Sequence, residues 1–83
     1  MTHRFELDAS KAKRNFAKHG ISFEEAATAL ADTLSITIPD PLHSEVENRY
    51  VLIGLSSRGR LLGVVHTDRD NVTRLISARM ANR

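Results

Sequence analysis

The stretch that decides the fold is "DASKAKRNFAKHGISFEEAATAL", residues 8–30, because it carries the boundary signals of two consecutive helices. Asp8 stands where the N-cap of a first helix belongs, since its carboxylate can accept a hydrogen bond from a free N–H of the first turn. Ala12 and Phe16 follow at helical spacing and form the predicted apolar face. Gly20 in "KHG" predicts the helix end, because glycine readily adopts the left-handed conformation found there.

A second helix is predicted directly after this glycine. Ser22 is followed three residues later by Glu25, the capping-box pattern in which each residue satisfies a backbone N–H of the other. The predicted apolar stripe of this helix consists of Phe23, Ala26, Ala27 and Leu30. The two helices are therefore expected to follow one another closely.

The rest of the chain shows the two-residue period of β-strands. Phe5 and Leu7 alternate with polar neighbours in "RFELD", which predicts a short first strand. Beyond residue 34, further strands are predicted in "LSITIPD", "RYVLIGL", "RLLGVVHT" and "VTRLISAR", with a proline-containing polar loop and the turns "SSRG" and "DRDN" between them. This order predicts an α+β fold in which the short N-terminal strand and the two helices pack on a mostly antiparallel sheet of about four strands. At 83 residues we expect one domain, spanning 1–83.

Charge is distributed unevenly along the chain. Residues 1–48 hold five Lys or Arg against eight Asp or Glu, whereas residues 49–83 hold seven Arg against two Asp, a net charge of +5. Every cation in the second part is an arginine, whose planar guanidinium can bind phosphate or carboxylate through two parallel hydrogen bonds. This pattern favours nucleic acid or an acidic partner, and a solvated basic face is the alternative.

The composition also bears on where the protein acts. The chain has no cysteine, which excludes disulfides and thiolate metal sites. The N-terminus lacks the apolar segment of a signal peptide, and no apolar stretch approaches the length of a membrane span. We therefore expect a cytoplasmic protein that does not associate with a membrane.

Counting residues through the turns predicts which side chains share a face of the sheet, because side chains alternate faces along a strand. The assumed cross-strand pairs are Leu52 with Val64 and Val64 with Ile76. They place Tyr50, His66 and Arg74 in one row. The opposite face is then expected to carry Val51, Ile53, Leu61, Val65 and Leu75, with Ser77 and Arg79 at one end.

This row has the groups that RNA cleavage through the 2′-hydroxyl requires: a base, an acid and charge stabilisation at the phosphate. His66 could serve as base or acid, Arg74 could hold the phosphate, and Tyr50 could stack on a nucleobase or donate a hydrogen bond. Arg79 and Arg60 lie near strand ends, where RNA can reach them. The alternative is structural, since a strand histidine beside a tyrosine is often a hydrogen-bonded edge residue.

The other polar residues are weaker candidates for a functional site. His43, Glu45 and Glu47 alternate in "HSEVE" and could bind a metal, but no second cluster completes a site and a solvated loop is favoured. His19 is placed to cap the carbonyl groups at the end of the first helix. We expect no metal and no cofactor.

The order of these segments resembles the BrnT family of toxins from bacterial type II toxin-antitoxin systems, over about residues 5–81. The resemblance rests on "DASKAKRNFAKHGISFEEAATAL", "PDPLHSEVENRYVLIG", "GRLLGVVHT" and "TRLISAR". The most specific parts are "KHG" followed by "FEEA", and "ISAR" followed one residue later by Ala81. The resemblance implies a RelE-like fold, ribonuclease activity that stops translation, and neutralisation by a DNA-binding antitoxin, BrnA, that represses the shared operon.

The resemblance also implies which residues act. The basic residues that match by position are Lys18, His19, Arg49, Arg60, His66, Arg74 and Arg79. Among them we expect catalytic roles for His66, Arg74 and Arg79, and RNA contacts from Lys18, Arg49, Tyr50 and Arg60. Two features depart from the family pattern: Met80 replaces a basic residue after "ISAR", and the chain ends at Arg83 where family members usually continue into a charged helix.

Three functional hypotheses follow. The first is a metal-independent RNA endonuclease toxin whose partner is a ribbon-helix-helix antitoxin of the BrnA type, with a homodimer or a heterotetramer with the antitoxin as expected assemblies. The second is a weak or inactive family member that binds the antitoxin and acts as an operon co-repressor. The third is a housekeeping RNA-binding module without catalysis.

Overall fold

The computed structural model describes residues 4–40 and 48–81, and these form two helices and one five-stranded sheet. In chain order the elements are β1 (Arg4–Glu6), α1 (Ala9–His19), α2 (Phe23–Leu30), β2 (Ile36–Pro39), β3 (Arg49–Leu55), β4 (Leu61–Arg69) and β5 (Val72–Met80). The strands lie side by side in the order β1-β5-β4-β3-β2. Only β1 runs parallel to its neighbour, β5, and the other pairs are antiparallel. The α+β prediction is confirmed, with one more strand in the sheet than expected because β1 joins its edge.

The predicted helix boundaries are confirmed by hydrogen bonds. The Asp8 side chain accepts a hydrogen bond from the backbone N–H of Lys11 at 3.0 Å. Gly20 follows α1 with φ 72°, and its N–H donates to the carbonyl of Phe16 at 2.8 Å. The Ser22 hydroxyl accepts from the backbone N–H three residues on, at 3.0 Å. Local capping chemistry therefore sets the ends of both helices.

The buried face of α1 differs from the predicted one. Phe16 is 58% exposed, whereas Asn15 is only 6% exposed. The Asn15 amide nitrogen donates to the carbonyls of Ile21 and Ala78, each at 2.9 Å, and its oxygen accepts from the N–H of Ala78 at 3.0 Å. One buried side chain thus links α1, the turn between the helices and β5, and satisfying this amide rotates Phe16 toward solvent.

Helix α2 provides most of the apolar contact with the sheet. Its residues Phe23 and Ala26 are fully buried, as predicted, and Ala27 and Leu30 pack against the core. The described core consists of Ile21, Phe23, Ala26, Ala29, Leu52, Leu62, Val64, Leu75 and Ala78. Gly54 permits the close approach of α2 to β3, since a Cβ there would lie 2.8 Å from the backbone oxygen of Ala29.

A polar stripe on α2 and the turn after it binds the β3–β4 hairpin. The Thr28 hydroxyl accepts a hydrogen bond from the N–H of Ser57 at 2.8 Å. The Asp32 carboxylate accepts from the N–H of Leu55 at 2.9 Å and from the N–H of Leu34 at 3.0 Å, and these two backbone donors lower the pKa of Asp32. Glu25 lies on the same stripe, so that the spacing of the three side chains matches one side of a helix.

The register of the strands confirms one predicted turn and corrects the other. Leu52 pairs with Val64, as expected from the "SSRG" turn. The next hairpin turns through two residues, Asp70 and Asn71, with φ of 51° and 65°, rather than through four. Two successive positive φ values are typical of a type I′ hairpin, which asparagine and aspartate tolerate. Together with an extra residue further along β5, this turn pairs Val64 with Ala78, not with Ile76.

A β-bulge further alters β5. The pairs Val65–Ser77 and His66–Leu75 are successive, so Ile76 has no partner of its own across the strand pair. An extra residue in one strand reverses the alternation of side chains beyond it. The sequence predicts Leu75 on the face opposite Leu52 and Val64, but Leu75 pairs with His66, shares the face of Leu52 and Val64, and is fully buried.

Candidate nucleic-acid interface

The sheet has two different faces. The covered face carries Leu52, Val64 and Ala78 and packs against α1 and α2. The opposite face, here called the open face, bears no helix in the described part of the chain. Cross-strand partners lie on the same face, so the register assigns every strand residue to one of the two.

Three of the sequence-predicted arginines lie on the open face. Arg49 and Arg74 are both paired with Thr67, so the three residues form one row across β3, β4 and β5. Arg79 pairs with Gly63 further along the same face and is exposed. The bulge is the cause, because residues five apart in a regular strand would point to opposite faces.

Arg74 interacts with the neighbouring edge strand. Its Nε lies 3.3 Å from the Glu6 carboxylate, and both side chains are 51% exposed. Exposed ion pairs of this kind contribute little to stability, so this contact leaves the guanidinium able to bind another anion. An open groove beside it is lined by Glu6, Leu7, Asp8, Lys11 and Arg74, with equal numbers of acidic and basic side chains.

His66 lies on the covered face instead. Its ring stacks on Tyr50 with centroids 5.7 Å apart, and the histidine is 4% exposed. His66 Nδ1 lies 3.1 Å from the Asp68 carboxylate, which also accepts a hydrogen bond from the Thr73 hydroxyl at 2.9 Å. The buried Nε2 has no hydrogen-bond partner among the described residues. With a proton on Nδ1 shared with Asp68, Nε2 presents a lone pair.

The predicted row of Tyr50, His66 and Arg74 is thus half correct. Tyr50 and His66 are cross-strand neighbours, as expected from the "SSRG" turn. Arg74 lies on the other face because the pairing next to the two-residue turn is offset by one residue from the predicted one, so that His66 opposes Leu75. A phosphate held by Arg74 on the open face is separated from His66 by the sheet itself.

Arg60 is engaged within the protein. Its guanidinium binds Glu25 with two of its three nitrogens: Nε donates to Oε2 at 2.8 Å, and Nη2 donates to Oε1. The Ser56 hydroxyl donates to the same carboxylate at 2.7 Å. These partners, Arg60 first, lower the pKa of Glu25 to about 2 although burial acts in the opposite direction. The Glu25 carboxylate therefore binds the β3–β4 hairpin, and not the backbone N–H of Ser22 as the capping box predicts.

The remaining sequence candidates lie elsewhere. Lys18 is exposed in the last turn of α1, on the helix side of the sheet. His43, Glu45 and Glu47 fall outside the described residues. Among residues 4–40 and 48–81, no three His, Asp or Glu side chains are grouped as a metal site would require. None of the described helices is long and apolar enough to cross a membrane.

Sequence reasoning missed two neighbours of His66. Asp68 follows it by two residues on the same strand, a spacing that places both side chains on one face and that could have been recognised in "HTD". Thr73 comes from the facing strand, so its contact with Asp68 depends on the turn length. The shared face of Arg74 and Arg79 was missed for another reason, since it depends on the bulge between them.

The fold and the arginine face together define a small α+β protein with a basic sheet surface that no helix within residues 4–40 and 48–81 covers. The structure superposes on the crystal structure of the Brucella abortus ribonuclease toxin BrnT with a TM-score of 0.76, over 99% of this chain and 100% of that chain, at 22% sequence identity. This likeness shows the fold. The family model described as the ribonuclease toxin BrnT of type II toxin-antitoxin systems matches residues 7–83.

The chain therefore belongs to the BrnT family of ribonuclease toxins. Membership in a type II toxin-antitoxin family implies an antitoxin partner. No curated protein sequence matches the chain.

Proposed function

We propose that this chain is a RelE-like RNA endonuclease that holds the RNA backbone on its open face. The observation that carries the proposal is the placement of Arg49, Arg74 and Arg79 on that one face. Guanidinium groups bind phosphate oxygens with paired hydrogen bonds and neutralise backbone charge. Three of them can hold neighbouring phosphates and the charge that develops at the one being cleaved.

The proposed reaction is attack of the RNA 2′-oxygen on the adjacent phosphorus. The new P–O bond forms as the bond from phosphorus to the 5′-oxygen of the next nucleotide breaks. A base takes the 2′-hydroxyl proton and an acid protonates the leaving 5′-oxygen. Because arginine supplies the charge stabilisation, cleavage is expected to continue in excess chelator, and a strict requirement for a divalent ion would contradict this mechanism.

The sequence makes His66 the candidate for proton transfer, whereas its burial on the covered face favours a structural role. A substitution can distinguish these two roles. His66→Gln preserves a hydrogen-bonding side chain but cannot transfer a proton. A general acid or base is expected to lose about a hundredfold or more in cleavage rate with this change. A loss below tenfold, together with a lower melting temperature, would assign His66 to supporting the end of β4.

The arginine surface is tested by single substitutions with a control on the far side of the molecule. Arg79→Ala and Arg74→Ala are expected to lower RNA cleavage by about a hundredfold, as removal of one charge-stabilising donor does. Arg14→Ala is the matched control, because Arg14 is exposed on α1 and bonds only Ser10 among the contacts described. Equal losses in all three variants would show that bulk charge, and not the open face, binds RNA.

Three predicted RNA contacts do not share the open face: Lys18, Tyr50 and Arg60. Their contact with RNA stays a prediction. Arg60 would have to leave the Glu25 carboxylate to bind a phosphate, since one guanidinium cannot grip both with the same nitrogens.

The biological setting proposed here is cytoplasmic. RNA cleavage would arrest translation, and a ribbon-helix-helix antitoxin of the BrnA type would neutralise the toxin, in a heterotetramer that represses the operon. Family membership supports this proposal. Expression without antitoxin should stop growth and leave cleaved RNA, whereas co-expression should restore growth; sedimentation of the purified complex would measure its stoichiometry.

A weak or inactive toxin that serves as co-repressor is the second candidate. The observation in its favour is the separation of His66 from the arginines, which leaves the proton-transfer groups of the open face unassigned. In that case the purified protein binds its antitoxin and increases the affinity of the antitoxin for the operator DNA. RNA then stays intact even at toxin concentrations far above the dissociation constant of the toxin-antitoxin complex. RNA cleavage by the wild-type chain, lost in Arg79→Ala, would exclude this candidate.

A further inference from the structure

The open face has a second half that carries no charge. Beside the arginines, β2, β3 and β4 present a continuous set of apolar side chains, here called the apolar half: Ile36, Ile38, Val51, Ile53, Leu55, Leu61 and Val65. Ile36 is 64% exposed and Ile38 is 52% exposed. Large exposed apolar surface on a soluble protein is costly in water and typically marks an interaction site.

The apolar half is not needed to complete the core. All strand residues of the apolar core lie on the covered face, where α1 and α2 pack. On the open face, Leu55 and Leu61 remain 50% and 42% exposed although they pair with each other across β3 and β4. These side chains therefore gain little from folding alone and would gain from a partner that removes them from water.

The two halves of the open face adjoin at Gly63. In one cross-strand row Ile53, Gly63 and Arg79 follow one another, and Gly63 contributes no side chain between them. Within the described part of the chain, a Cβ at Gly63 would meet only Ile53 Cδ1, at 3.6 Å. A segment lying along this row can place apolar side chains on Ile53 and a carboxylate on Arg79 at the same time.

We propose that the antitoxin docks on the apolar half, through a segment that is apolar on one side and presents acidic residues to Arg79 and its neighbours. This proposal rests on the proposed function, because the same arginines would hold RNA. Neutralisation is then direct competition, in which the antitoxin covers the phosphate-binding surface and replaces phosphate with carboxylate. A second copy of this chain fits less well, since a face-to-face pair would bring two arginine surfaces together.

The test uses charge placed on the apolar half, far from the arginines. Ile36→Glu puts a carboxylate at an exposed position of an edge strand, three strands away from Arg79. We expect RNA cleavage within twofold of wild type and antitoxin affinity at least thirtyfold weaker, the effect of losing an interface hot spot. Phe16→Glu is the matched control, because Phe16 is 58% exposed on α1, on the other side of the sheet, and should leave both measurements unchanged.

Antitoxin affinity is measured by calorimetry and neutralisation by the antitoxin dose that halves RNA cleavage. Affinity within threefold of wild type for Ile36→Glu, or an equal loss for Phe16→Glu, would overturn the proposal. If Ile36→Glu does not fold, Ile36→Thr keeps the β-branched side chain and should weaken binding in the same direction; unchanged binding would again overturn it. A wild-type dimer in sedimentation that Ile36→Glu dissociates would make a second copy the occupant and refute the antitoxin.

The two proposals fail separately. Wild-type protein that binds antitoxin through Ile36 but cleaves no RNA would contradict the endonuclease and leave the docking surface standing. RNA cleavage that antitoxin suppresses equally in wild type and Ile36→Glu would contradict the docking surface alone.

Discussion

Replacing Glu25 by glutamine should expose how strongly the β3–β4 hairpin depends on one buried carboxylate. The Glu25 side chain is 4% exposed and receives hydrogen bonds from Arg60 and Ser56. Glutamine has nearly the same shape and can still accept from Ser56, but it removes the negative charge that Arg60 faces. The substitution therefore isolates the charge from the packing.

The magnitude follows from the titration of the carboxyl. Its pKa is lowered from 4.5 to about 2, chiefly by the hydrogen bonds from Arg60. A shift of this size corresponds to about 3 kcal/mol of unfolding free energy at neutral pH, and we expect about 1–3 kcal/mol because Arg60 is 33% exposed and solvent screens the pair. The stabilisation is complete above pH 4.5 and disappears as the pH falls toward 2, because the folded state then gains the proton that the unfolded state already holds.

Urea denaturation followed by far-ultraviolet circular dichroism, at pH 7, 5 and 3, measures this difference. The wild type should exceed Glu25→Gln in unfolding free energy at pH 7, and the gap should narrow at pH 3. Glu24→Gln is the control, because Glu24 is exposed in the same helical turn and should change the free energy by less than about 0.5 kcal/mol. A gap that does not vary with pH would refute the role assigned to the carboxylate charge.

Three further changes test the packing. Asn15→Leu should cost about 2–4 kcal/mol in urea denaturation, because both backbone groups of Ala78 lose their buried partner; a neutral effect would contradict the bridging role. Gly54→Ala should cost about 1–3 kcal/mol in the same assay, since its Cβ would lie 2.8 Å from a backbone oxygen of α2. Phe23→Ala should lower the thermal unfolding midpoint strongly, at about 3–5 kcal/mol, whereas Phe16→Ala should change stability by less than about 0.5 kcal/mol; equal effects would contradict the observed orientation of α1.

Features encoded within a few residues could be predicted from the sequence, and features that depend on distant pairing could not. The helix ends could be predicted from Asp8, Gly20 and Ser22, because each capping residue forms its hydrogen bond with a residue only three or four positions away in the chain. The buried role of Asn15 could not be anticipated, since its partner Ala78 lies 63 residues away. Apolar spacing alone predicts that Phe16 is buried. In the structure Asn15 is buried instead, because its side chain binds the backbone of β5.

The candidate site shows the same division. The sequence places Tyr50 and His66 together correctly because the pair assumed across the first hairpin, Leu52 with Val64, is the observed one. The predicted turn "DRDN" is two residues longer than the observed turn at Asp70 and Asn71, although successive residues of this kind are typical of tight hairpins. The predicted pairing of Arg74 with His66 is offset by one residue from the observed pairing of Leu75 with His66, and an offset of one residue exchanges the two faces of a strand.

Because of the bulge at Ile76, the face on which each arginine of β5 lies depends more on the number of residues between them than on which residues these are. Arg74 and Arg79 are separated by an odd number of positions, and they share a face only because one extra residue intervenes. A family member that gains or loses one residue between these arginines would keep every side chain and still send one of them to the helix side. When sequences of related toxins are aligned, a gap in this strand therefore predicts a changed surface, whereas a substitution at position 76 does not.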